Sequence, residues 1–248
     1  MYAHLHTHSP FSFLDGAASI ESLLTRAAEI GCSALAITDH NNLSAAVRFH
    51  KLAAAMGIKP IQGCEITLDN GCHLTLLCQN RTGYTNLCRL VTRAHLDAPR
   101  GLPQLSRRLL KEHSEGLIAL SGCRHGEVAS LILQGRNRQA LEAASVYAAA
   151  FPGRFYIEIQ DNLLPRTNSL NRHLRDLAEY LHLPMAATAN AHYAYKEQFP
   201  VHDILTCVRT LTCLQSIHPA RRLNAENYLL TPEEMADRLR DFPQALRG

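Results

Sequence analysis

The sequence predicts an α/β fold, a distorted seven-stranded (β/α) barrel. Three observations lead there. Seven short apolar runs recur along the chain, most of them separated by longer segments with helical spacing. The runs are apolar on both faces, as strands covered on both sides are. A chain of 248 residues with 46% apolar content is long enough for one such barrel and its core.

The strands are expected at 2–5, 34–37, 59–66, 73–78, 117–121, 155–159 and 185–188. Between the first two, 19–30 reads as a helix with Ser19 as its cap and Gly31 just past its end. A second helix, 44–56, stops in the same way at Gly57. Helical spacing recurs over 83–95, 137–150 and 168–181. This alternation implies a parallel sheet. After Tyr195 the pattern changes. A helix is expected over 201–211, 221–230 is irregular, and Thr231-Pro232 opens a last helix. Residues 1–199 are read as the barrel, and 200–248 as a helical and irregular appendage continuing the same domain.

Composition narrows the function. The net charge of +3 does not mark a nucleic-acid binder. No basic-then-apolar leader opens the sequence and no run of ~18 apolar residues occurs, so a cytoplasmic protein with no membrane contact is expected. The eight cysteines include no CxxC pair and mostly have apolar neighbours, which reads as buried thiols in a reducing compartment. There is no GxxxxGK[ST] loop, no GxGxxG after the first strand and no GxSxG elbow. The 14 histidines are the unusual count, and imidazole is the commonest metal ligand.

The chemistry gathers beside the strands. His4, His6 and His8 alternate at the first strand, so they share a face. Asp39-His40 follows the second strand, and Glu65 ends the third, where a carboxylate can bridge two ions. His73 opens the fourth. Cys123, Arg124 and His125 follow the fifth, and Asn190 and His192 the seventh. Barrel active sites form at the C-terminal ends of strands, where most of these residues fall. His50, His95, His113, His173, His182, His202 and His218 read instead as surface or helix-end histidines. A His-rich, carboxylate-poor set favours Zn, Mn or Fe over Mg, and several such ions together suit phosphate-ester hydrolysis.

At these residues the chain resembles the PHP (polymerase and histidinol phosphatase) family. The motifs are His6-Thr7-His8, Asp15-Gly16, Thr38-Asp39-His40, Gly63-Cys64-Glu65, His73, Cys123 and Asn190-Ala191-His192. The likeness is closer still to the PHP region of bacterial C-family DNA polymerases, of the DNA polymerase III alpha type, and within them to the error-prone branch. Arg81-Thr-Gly-Tyr84 and Tyr156-Ile-Glu-Ile-Gln160 carry that last point.

The resemblance implies two or three divalent ions. His6, His8 and Glu65 would hold the first, with Asn190 where the family usually has Asp. Glu65 would bridge to a second ion on His73 and Cys123, Cys123 standing where simpler members carry His. Asp15, His40 and His192 would hold a third. Asp39 would orient His40 or a water, and phosphate or water would fill open positions. Arg124 and His125 are candidates for the polar group beside a scissile phosphate. The implied activity is phosphoester hydrolysis, of a phosphodiester such as a 3′ DNA end or of a small phosphate ester. The alternative is a silent, metal-stabilised scaffold that docks polymerase domains or subunits. The palm carboxylates of the polymerases are absent from these residues, so polymerisation is not expected of them.

Overall fold

The computed structural model describes residues 3–247. Seven strands form a sheet in chain order: β1 (Ala3–His4), β2 (Ala34–Ile37), β3 (Lys59–Thr67), β4 (His73–Cys78), β5 (Leu117–Leu120), β6 (Phe155–Ile159) and β7 (Met185–Ala187). Tyr2, assigned above to the first strand, lies outside the described residues. The helices are α1 (Ile20–Glu29), α2 (Ala46–Ala55), α3 (Arg81–Leu96), α4 (Arg108–Glu112), α5 (Glu127–Leu133), α6 (Asn137–Ala150), α7 (Thr167–Tyr180), α8 (Phe199–Thr210) and α9 (Pro232–Arg238). The short α4 and α5 carry too few turns to show a period in sequence.

Local chemistry sets the helix starts. Ser19 Oγ accepts the Ser22 N–H at α1, Asn80 Oδ1 accepts the Gly83 N–H at α3, and Thr231 and Glu234 form a reciprocal capping box at α9. The inner faces of these helices and of the strands form the main core, with Leu23, Phe49, Ile66, Phe151 and Tyr193 fully buried. Leu229 and Leu230 join it, so the C-terminal segment packs onto the barrel. No helix among the described residues is long and apolar enough to cross a membrane. All eight cysteines are free; Cys32, Cys64, Cys123 and Cys207 are buried, three are half-buried and Cys213 is exposed.

The expectation of a wholly parallel sheet is overturned. β4 runs antiparallel to both β3 and β5, while the other neighbours are parallel. The connection over 68–72 is a tight turn with Gly71 at φ +78°, far too short for a crossover helix. The reversal has a consequence for function. His73 stands at the start of β4 and pairs with Thr67 at the end of β3, so it reaches the same end of the sheet as the other clusters. At that end the sheet's edges also meet. The His8 N–H donates to Ala191 O (2.8 Å) and the Ala191 N–H to His6 O (3.1 Å).

Candidate metal centre

Glu65 lies at the middle of the site, buried at the end of β3. Its two oxygens face different partners. Oε1 is 3.0 Å from His73 Nδ1, 3.6 Å from His6 Nε2 and 3.6 Å from Cys123 Sγ. Oε2 is 3.1 Å from His40 Nδ1 and 3.4 Å from His8 Nε2. Burial raises its pKa, but His73, His40 and His6 outweigh that and hold the carboxyl well below its ordinary range. Asp15 closes the other side, with Oδ2 2.9 Å from His192 Nε2 and 3.2 Å from His40 Nε2. Gly16, beside it, has no room for a side chain: a Cβ would lie 1.9 Å from Ser9 O.

The outer nitrogens of the rings are anchored, which aims the inner ones. His6 Nδ1 donates to Glu158 Oε1 (2.7 Å), which also accepts from Gln160 Nε2 and the Thr188 hydroxyl. Burial opposes charge on the His6 ring, yet Glu158 and Glu65 prevail and raise it to about 10. His8 Nδ1 donates to Ser12 Oγ (2.9 Å), and Ser12 Oγ donates to Asp39 Oδ1 (2.7 Å). His192 Nδ1 donates to Asn190 O (2.9 Å). Burial first, then the crowding of other imidazoles, pushes His8 well below the ordinary histidine range, and burial followed by the Arg222 guanidinium pushes His192 down to about 3, so both rings are neutral. Their Nε2 lone pairs therefore point inward. His8 Nε2 lies 3.3 Å from His6 Nε2.

This donor set fits divalent ions. Three groups of ligand atoms converge: His6-His8-Glu65, His40-Glu65-His73 and His8-His40-His192. The neutral His192 Nε2 and the Asp15 carboxylate are two acceptors 2.9 Å apart, and the guanidinium groups of Arg222 and Arg209 bring positive charge to them. Asn190 Oδ1 is buried and has no hydrogen-bond partner, while the Asn190 carbonyl holds His192. Nitrogen, thiol and carboxylate donors together suit Zn²⁺ and other transition metals.

Several placements differ from the expectations. Asp39 does not face the His40 ring. Its carboxylate takes the Ser9 N–H (2.7 Å), Ser9 Oγ (2.6 Å) and Ser12 Oγ, because the turn after β1 folds over it. It acts on His8 through Ser12, and burial pushes its pKa up. Arg124 lines the cavity above the cluster, with its guanidinium 3.1 Å from Pro165 O, and the exposed His125 stands beside His73 with ring centroids 5.7 Å apart. His4 turns away from His6 and His8 to Leu230 O (2.9 Å). His202, read as a surface or helix-end histidine, is buried, with Nδ1 donating to Asp15 O (2.8 Å).

Glu158, Arg209 and Arg222 were missed. Glu158 left one usable signal, a charge inside an otherwise apolar strand. Arg209 donates to Asp15 Oδ1 (2.7 Å), and Arg222 donates to His192 Nε2 (2.8 Å). Arg209 and Arg222, with Asp15, His40, Glu65 and His192, border a cavity of about 730 Å³.

An α/β barrel that gathers imidazoles and carboxylates at one end of its sheet presents, by class, a candidate metal centre. The model of the PHP domain matches residues 4–162, and the chain belongs to the PHP domain family. It is 52% identical over its whole length to an error-prone DNA polymerase of Symbiobacterium thermophilum, covering 24% of that protein. It is 42% identical over 94% of its length to the DNA polymerase III subunit alpha of Thermus aquaticus, covering 21% of it. The chain thus spans about a quarter or less of these relatives. Among solved structures, one assigned as a metal-dependent phosphoesterase from Bifidobacterium adolescentis aligns with a TM-score of 0.52 at 13% identity, over 96% of this chain and 95% of that one. An amidohydrolase from Chromobacterium violaceum with bound sulfate and no metal aligns at 0.51 and 15% identity, over 78% and 88%. At such identities the likeness is one of fold.

Proposed function

We propose that the chain is a metal-dependent phosphoesterase that binds two or three divalent transition-metal ions, Zn, Mn or Fe, and hydrolyses a phosphodiester such as a 3′ DNA end, or a small phosphate ester. The observation that carries this reading is Glu65, whose two oxygens face separate sets of metal-type donors. His6, His8 and Glu65, with Asn190, would hold the first ion. Glu65, His73 and Cys123 would hold the second, and Asp15, His40 and His192 the third. Bound ions supply an activated water and neutralise charge on the phosphate. The chain's own residues do the positioning. Glu158 and the Asp39–Ser12 pair fix the His6 and His8 rings. Arg124 and His125 border the cavity where phosphate oxygens would lie, and phosphate or water would occupy open positions. A cytoplasmic location is part of this reading.

The alternative is a silent scaffold that docks other polymerase domains or subunits. What favours it is an exposed apolar stripe on α8 of Val201, Ile204 and Val208, continued by Leu211. Metal analysis of untagged protein, with an assay panel of a generic phosphodiester, a phosphomonoester and 3′-labelled DNA, separates the two. Hydrolysis that follows metal content supports the enzyme. Retained metal with no hydrolysis of any of the three supports the scaffold, and less than one ion per chain after metal-supplemented expression overturns the metal centre.

A further inference from the structure

Arg222 sits in the irregular stretch after α8, well over a hundred residues from most of the ligands, yet its guanidinium enters the cluster. Nη2 donates to His192 Nε2 at 2.8 Å, Nε donates to His202 Nε2 at 2.9 Å, and Nη1 donates to Asn227 Oδ1 at 3.0 Å. Each acceptor is itself fixed. His192 Nδ1 donates to Asn190 O, His202 Nδ1 donates to Asp15 O, and Asn227 Nδ2 donates to Asn190 O. Both histidines therefore present a bare Nε2 to the guanidinium. Burial and the Arg222 charge keep them neutral, which agrees with this pairing.

The lone pair on His192 Nε2 is the one that a third ion, shared with Asp15 and His40, would need. The same nitrogen cannot donate its pair to a metal and accept a full hydrogen bond from Arg222. A guanidinium also stays charged at any accessible pH, so it opposes a divalent neighbour. Asp15 carries a second such burden, because Arg209 holds its Oδ1 at 2.7 Å. The Glu65 side differs: among the described residues no arginine donates to His6, His8 or His73, the outer nitrogens of His6 and His8 face a carboxylate and a hydroxyl, and His73 Nδ1 faces Glu65 itself.

We propose that Arg222 competes with the third divalent ion for His192, so that the positions around Glu65 fill first and the Asp15–His40–His192 position is the weak, exchangeable one. The C-terminal segment thereby sets how many ions the centre holds at a given free-metal concentration. This inference rests on the metal-centre reading proposed above.

The test is stepwise metal titration of the full chain, with Zn²⁺ or Mn²⁺ alone as the probe, followed by calorimetry and by elemental analysis after desalting. The wild type is expected to keep two ions through desalting and to take a third at least tenfold more weakly. Arg222→Gln and Arg222→Met remove the charge, and each is expected to tighten the third step about tenfold or more while leaving the first two steps within a few-fold. A wild type that retains three ions of equal affinity overturns the proposal, whatever the variants do. So does a third step that is unchanged or weakened in a folded variant, since Arg222 would then support His192 and not compete for it. If neither protein binds any divalent ion, the metal centre itself fails. If both bind with identical steps, only the role of Arg222 fails.

Discussion

The two ends of the sheet are built from opposite chemistry. At one end lie four buried or half-buried imidazoles around Glu65, with Asp15, Glu158 and Asp39 close behind. At the other, the starts of β3, β5 and β6 and the end of β4 surround an apolar cavity of about 460 Å³, lined by residues such as Leu5, Ile61, Leu77 and Tyr156. Ala36, Leu77, Leu120 and Ala186 form a small separate cluster there. The first end is held by hydrogen bonds and ion pairs among imidazoles, arginines and carboxylates. The second is held by buried area. Stability and metal binding should therefore respond separately to changes at the two ends.

The sharpest break comes from Glu65→Ala. Both carboxylate oxygens vanish, so at least one ion per chain should be lost, hydrolysis should stop, and the metal-dependent rise in melting temperature should shrink. His6→Ala and His40→Ala should abolish hydrolysis as well. Full metal content and activity in Glu65→Ala would show the ligand assignment to be wrong.

Glu158→Gln tests the layer beneath. The amide keeps the shape but loses the charge that anchors the His6 ring, and metal affinity should fall roughly 10–100-fold by titration. An unchanged affinity would mean that His6 is oriented by other contacts.

Leu120→Ala is the counterpart at the apolar end. Leu120 is buried but near an open cavity, so the expected loss is at the low end for such truncations, about 2 kcal/mol by denaturant unfolding. Ions per folded chain should not change; if they fell, the two ends would not be independent.

Asn190→Asp should tighten the first ion about tenfold, because a carboxylate replaces the unpartnered neutral oxygen. Activity should rise at limiting metal and change little at saturation. Identical titrations of the two forms would place Asn190 outside the ligand set.

The smallest signal is a proton count. With its pKa raised to about 10, the His6 ring carries its extra proton at pH 7 and must release it to a metal. The Cys123 thiol, pushed well above its usual range by burial and then by Glu65, would release another. Calorimetry in buffers of different ionisation enthalpy should show one to two protons released on loading, and affinity should fall as pH is lowered. Loading without proton release would exclude both residues as ligands in these states.

The sequence by itself determined the seven strands, most helices, and the histidines and carboxylates beside the strand ends. Those signals are local: a strand shows in a few apolar residues, and the alternation of His6 and His8 follows from its period of two. Only the tertiary structure decided three things. The direction of β4 depended on a five-residue connection, and that reversal carried His73 to the site. Asp39 was taken by the Ser9–Ser12 turn, a preference visible only once the turn folds over it. His202, Arg209 and Arg222 reached the ligands because Leu229 and Leu230 bury themselves in the barrel core and draw the C-terminal segment across its face. No periodicity encodes such an encounter, since packing fixes it between residues far apart in the chain.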